Sequence, residues 1–241
     1  MSNIVIHPVC LTEIDHDKSV MTYQFNMGKR ITIGGYIWYI ERAGEQILVD
    51  AGGDAEYMLN KKKHLAREIQ TIGAGLGKFG ISPEDIDLVI LTHLHHDHVA
   101  FASRFPKARF LVQSDELEFA RNPHPMFSMH YEMKFFEGLE FEVINGDVKI
   151  SQDISVIKTP GHTPGGQSVC IRTAQGNVVI SGLCTISDSF KPPSSVAQPV
   201  VISLPHTSPF EAYDSLLRIK EMADIILPLH DISFRNVRDI P

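Results

Sequence analysis

Thr92-His93-Leu94-His95-His96-Asp97-His98 decides the reading of this chain, because the apolar run 87–91 feeds straight into it. On an extended exit from a strand, residues i and i+2 point the same way. His93 and His95 can therefore grip one ion, and a tight turn after them brings Asp97 and His98 to a second point nearby. Neutral imidazole and carboxylate are donors that Zn²⁺ takes at roughly 2.0–2.2 Å. A solvated polar loop is the bland reading of such a run. An apolar strand leading directly into five ligand-type residues within positions 93–98 argues against it.

With its His-x-His-x-Asp-His motif, the chain resembles the metallo-β-lactamase superfamily. Three further segments follow that family's order. Leu48-Val49-Asp50-Ala51-Gly52 looks like its early Asp-x-Gly segment, whose Asp supports the first metal loop. Thr159-Pro160-Gly161-His162-Thr163-Pro164-Gly165 matches the segment that gives a third His to metal one. Leu227-Pro228-Leu229-His230-Asp231 matches the last His ligand. The resemblance implies an α/β fold, an αββα sandwich of two mixed β-sheets flanked by helices, with the metals at the sheet edge. It implies two ligand sets, His93/His95/His162 and Asp97/His98/His230, for two Zn²⁺, with iron or manganese as alternatives. Most relatives place a metal-bridging Asp after the strand 178–180. This chain has none before Asp188, and Cys184 is the nearest metal-ligand type. A thiolate has the same charge as a carboxylate and binds zinc at roughly 2.3 Å. Cys184 is therefore expected as a ligand of the second metal, against the reading of a small buried hydrophobe.

The implied activity is that of a hydrolase. A hydroxide shared by the metals attacks a carbonyl, one metal polarises that carbonyl, and Asp97 both ligates and orients the nucleophile. Length and the stretch 69–98 look most like the N-acyl homoserine lactonase branch, so a lactone or a related ester or amide is the expected substrate. That branch also carries a Tyr three residues after its bridging Asp, and Ser187 stands there here. Two other readings stay open: a thioester or cyclic-amide hydrolase of the same fold, and a non-hydrolytic iron-binding redox or sensing protein.

Composition sets the outer limits. The 241 residues are 43% hydrophobic and 21% charged, as in an ordinary globular protein, and are expected to form one domain over 1–241. A formal charge of −7 argues against a nucleic-acid or anionic-membrane binder. A small, partly apolar molecule is the expected partner, and a homodimer is compatible. Cys10, Cys170 and Cys184 do not make a disulfide framework. No apolar run is long enough to span a membrane, and the N-terminus lacks a basic and apolar leader pattern, so a cytoplasmic location is expected.

Short β-branched runs predict strands at 4–9, 36–40, 47–49, 88–91, 109–112, 141–144, 154–158, 168–171, 178–180 and 225–227. Leu65, Ile69, Ile72, Leu76 and Phe79 predict one helix over 64–79, weakened by Gly73, Gly75 and Gly77. A second helix starts behind the cap Ser208 with Phe210, Tyr213 and Leu217 facing inward. A third, over 115–121, has Ser114 as its cap. Asp50 is expected to anchor a ligand histidine, as carboxylates behind metal-bound imidazoles do. His96 is expected to face away from the ligands, and His7, His16 and His64 to be ordinary surface or packing residues. His206 is a candidate for lining a substrate pocket. Residues 126–136, rich in Met and aromatics, are either an adaptable apolar surface or core beneath a loop.

Overall fold

Apolar runs buried on both faces read as continuous hydrophobic stretches, and here they assemble into two layered sheets. The computed structural model describes residues 4–42 and 44–241; residues 1–3, at the head of the stretch read for a leader, and residue 43 lie outside the described residues. The first sheet contains β1 (Val5–Asp17), β2 (Arg30–Glu41), β3 (Ile47–Val49), β4 (Leu65–Glu68), β5 (Leu88–Ile90), β6 (Arg109–Gln113) and β7 (Phe141–Ile144), in the order β4-β1-β2-β3-β5-β6-β7. The second contains β8 (Val148–Lys149), β9 (Ile154–Lys158), β10 (Gln167–Thr173), β11 (Gly176–Ile180) and β12 (Ile225–Leu227), in the order β12-β11-β10-β9-β8. Both are mixed. β3, β5, β6 and β7 run parallel beside the antiparallel β1–β2 pair, and β12 runs parallel to β11.

Strand periodicity sorts the core into layers. Ile47, Val49, Leu88 and Ile90 face inward, onto Val156, Val169, Ile180 and Leu227 of the other sheet. Leu48 and Val89, one residue out of phase, face the outer layer of α2 (Ile72–Gly77) and α4 (Ser114–Arg121). On the far side, α6 (Pro209–Met222) lays Ala212, Leu216 and Ile219 on Ile157 and Val179. The result is the expected αββα sandwich. Short helices α1 (Ala55–Asn60), α3 (His96–Val99) and α5 (Ser187–Phe190) sit on connections.

Three local expectations are corrected. The helix over 64–79 is instead the edge strand β4, paired with β1 from Thr12 to Asp15, followed by the short α2. The long, half-polar β1 offers an open edge there, and Leu65 is left exposed while Ile72 and Leu76 enter the core. Gly75 permits that packing, since a Cβ on it would lie 2.4 Å from Val9. Phe210 is 81% exposed, because the inward positions of α6 begin at Ala212. Ser208 does cap α6, accepting from the Glu211 N–H, whereas Ser114 is the first residue of α4 and not its cap.

Candidate metal centre

The centre forms where β3, β5, β9 and β12 end at one rim of the sandwich. Asp50 follows β3 in a left-handed backbone conformation (φ 64°) and is fully buried. Its carboxylate accepts from the Thr92 N–H at 2.7 Å, the Thr92 hydroxyl at 2.9 Å and His98 Nδ1 at 2.8 Å. This is the anchoring role expected of it. His95 caps α3, so Asp97 and His98 lie on that helix's first turn. The helix lies so close to the segment after Asp50 that a Cβ on Gly53 would sit 2.8 Å from the Asp97 Cα.

The other histidines arrive from the second half of the chain. Gly161, at φ 119°, lets the loop after β9 pass under α6, where any Cβ would meet the Ala212 nitrogen at 2.0 Å. His162 then donates from Nδ1 to the Pro205 carbonyl at 2.6 Å. His230 follows β12 and donates from Nδ1 to the Gly34 carbonyl at 2.9 Å. With Nδ1 held, the Nε2 atom of each ring is left for the centre, the arrangement that orients metal-bound imidazoles.

Two triads result. The ligand atoms of His93, His95 and His162 lie within 4.8 Å of one another, and so do those of Asp97, His98 and His230. The triads adjoin, with the His93 and His98 rings 4.2 Å apart. Among the described residues, His93 Nε2 and His95 Nε2 are buried with no hydrogen-bond partner. Buried polar atoms are rarely left so. Two orphaned imidazole nitrogens aimed at one point fit a divalent cation. Cys184 lines the same cavity, but its Sγ belongs to neither triad and lies 3.7 Å from Met21 Sδ.

Charge divides the triads. Burial holds His93 and His95 well below the usual histidine range and brings His162 down to about 3. These rings are neutral donors at any ordinary pH. Burial also works against charge on His98, but the carboxylates of Asp97 and Asp50 outweigh it and raise that ring to about 10. Burial would raise Asp97 as well, yet the His98 charge holds it well below the usual carboxylate range. Burial pushes the Cys184 thiol up to about 12.

The residues around the triads differ most from expectation. His96 does not face away from the centre: it is buried and lines the cavity, as do His16, His64 and His130. His206 is not among the lining residues; it hydrogen-bonds to Ser203 and packs edge-on against Tyr23. His7 is a packing residue, held between Glu41 and Asp239. In 126–136 the aromatic residues join the core, while Met126, Met129 and Met133 are exposed. Glu116, which drew no notice in the sequence, is fully buried on α4. It accepts from the Leu94 N–H at 2.9 Å, the Tyr131 hydroxyl at 3.1 Å and the Gly165 N–H at 3.3 Å, tying both loops of the first triad together.

Among known proteins, residues 31–184 match the family described as Metallo-beta-lactamase superfamily. N-acyl homoserine lactonase AttM of Azorhizobium caulinodans is 32% identical over an alignment of 143 residues that covers 52% of this chain and 54% of that protein. The chain thus spans about half the length of that relative. N-acyl homoserine lactonase AiiA of Bacillus thuringiensis subsp. kurstaki is 26% identical over 236 residues, covering 90% of this chain and 88% of that protein. The crystal structure of a quorum-quenching N-acyl homoserine lactone hydrolase superposes with a TM-score of 0.76 at 25% identity, over 98% of this chain and 95% of its own.

Proposed function

Since the chain belongs to the metallo-beta-lactamase superfamily, we infer that its two adjoining triads serve the hydrolysis of a lactone ester. The observation that carries this reading is the pair of orphaned nitrogens, His93 Nε2 and His95 Nε2, buried beside a second triad that contains a carboxylate. The lactonases among the relatives support the choice of bond. Neutral imidazoles with one carboxylate suit zinc, and the same donors also accept iron or manganese.

His93, His95 and His162 would hold one ion, and Asp97, His98 and His230 the other. When bound, such ions would supply Lewis acidity, lowering the pKa of a water towards roughly 7 and polarising a carbonyl. The chain's own part is positional. The Asp97 carboxylate stands 3.3 Å from His98 Nε2 and 4.0 Å from His230 Nε2, and its side chain is 23% exposed. It is the acceptor that orients the attacking water. Asp50 and the Gly34 and Pro205 carbonyls hold the rings still. Cys184, which lines the same cavity, is the further candidate ligand.

Reconstitution with zinc followed by a screen of lactones, thioesters and cyclic amides tests the reading. About two metals per chain and lactone turnover are expected. His95→Ala should lower kcat/KM by at least a hundredfold with the circular dichroism spectrum unchanged, because a ligand is lost at the rim while the strands of both sheets keep their pairing. Full activity of a zinc-replete His95→Ala protein would overturn the assignment.

A further inference from the structure

The cavity over the triads is small and has two unlike walls. Its volume is about 110 Å³. That is room for three or four waters at ~30 Å³ each, and about a third of the roughly 300 Å³ at the lower end for drug-sized ligands. One wall is apolar, with Ile14, Val20, Met21 and Ile33; the other carries His16, His64, His96 and His130. His96 is 2% exposed, and its Nδ1 has no partner among the described residues. The His64 ring lies 5.9 Å from that of His96, and His16 lies 5.4 Å from His64.

The roof is fastened down. Met21 is completely buried, in a segment joined to the loop around Pro205 by Tyr23 N–H to Ile202 O at 2.8 Å and Leu204 N–H to Val20 O at 2.7 Å. The Pro205 carbonyl in turn holds His162. A long alkyl tail has no space beneath this roof without displacing Met21. Laid along the other wall, it would cover the half-buried imidazoles of His16, His64 and His130 and give them nothing to bond with, which is unfavourable. A small polar substituent pairs with those rings instead.

From this geometry we propose that the site takes compact lactones, a bare ring or one bearing a single small hydrogen-bonding substituent, and that Met21 sets the length limit. The proposal rests on the lactonase reading and narrows it. The zinc-loaded full chain is assayed with γ-butyrolactone, α-amino-γ-butyrolactone and N-decanoyl homoserine lactone. Binding of the three ring-opened acids is measured alongside by calorimetry. The amino lactone should exceed the decanoyl compound in kcat/KM by at least tenfold. Met21→Ala, or the milder Met21→Val if the first fails to fold, should narrow that ratio at least tenfold. His64→Leu should lower the preference for the amino lactone over the bare ring at least threefold. A decanoyl compound turned over as well as the small ones, or a ratio unmoved in a folded Met21 variant, would overturn the proposal. If no lactone opens, the lactonase reading fails and the size limit is judged on the acids alone: tighter short acids uphold it, and a tighter decanoyl acid overturns it.

Discussion

His98 holds a proton that a metal must displace. Its ring sits between Asp50 and Asp97, and the two carboxylates raise it to about 10 against the pull of burial. The three rings of the other triad are already neutral. Metal uptake by Asp97/His98/His230 should therefore release about one proton near pH 7, and uptake by His93/His95/His162 none. Affinity at the former triad should fall about tenfold for each pH unit below 10, while the latter stays level from pH 6 to 9. Titration calorimetry in two buffers of different ionisation heat reads the proton count directly. Whether Cys184 serves as a further ligand takes a sharper test. Burial raises it to about 12 without metal, so slow alkylation alone would not reveal coordination. Cobalt substitution should give a near-ultraviolet sulfur-to-metal band that vanishes in Cys184→Ser. The ligand-type residues could be read from the sequence because strand-exit alternation and spacing are local properties. His16, His64 and His130 could not, since they reach the cavity from three separate segments, the end of β1, the approach to β4 and the turn 128–130, and only folding brings them beside His96.

At the level of elements, the loop carrying His162 is set by its packing under α6. Gly161 has both a glycine-only backbone and a helix against its α-carbon, and Ser215 of that helix bonds the Pro160 carbonyl at 2.8 Å. Gly161→Ala should cost on the order of 3 kcal/mol from backbone strain alone, with further loss from the clash. Thermal denaturation measures the first effect. A larger fall in metal affinity at the His93 triad than at its neighbour, followed by calorimetry, would show that the loop has moved. Short β-branched strands were legible almost to the residue, both buried, as at β3, and at a sheet edge, as at β7 and β12. The edge strand β4 was not, because Leu65 and Ile69 keep a helical spacing by coincidence, and pairing with the overlong β1 decided the matter. Glu116 was invisible for a similar reason: its partners are backbone N–H groups of two distant loops, which leave no pattern in sequence.

Across the whole molecule, each sheet is drawn from one continuous half of the chain. The first uses residues 5–144 and the second 148–227. Metals held by the two triads at the rim would contact both halves, so they would bind the native state and stabilise it by linkage. Zinc at a hundredfold over its dissociation constant should contribute about 2.7 kcal/mol per site, raising Tm by roughly 5–10 °C for a chain of this size, and a chelator should reverse it in a calorimetric scan. The layered architecture was readable from strand count and from the motif, because a double-sided run of Val, Ile and Leu admits few homes. The division of the ligands has a consequence for biosynthesis. His93, His95, Asp97 and His98 leave the ribosome while His162 and His230 are still unmade. A nascent chain therefore carries only two of the three candidate ligands of each triad; the His93 triad would be completed when His162 arrives, and the Asp97 triad only with the last strand. Cobalt colour during synthesis in vitro should appear in two stages, the first after chains extend past His162 and the second after they extend past His230.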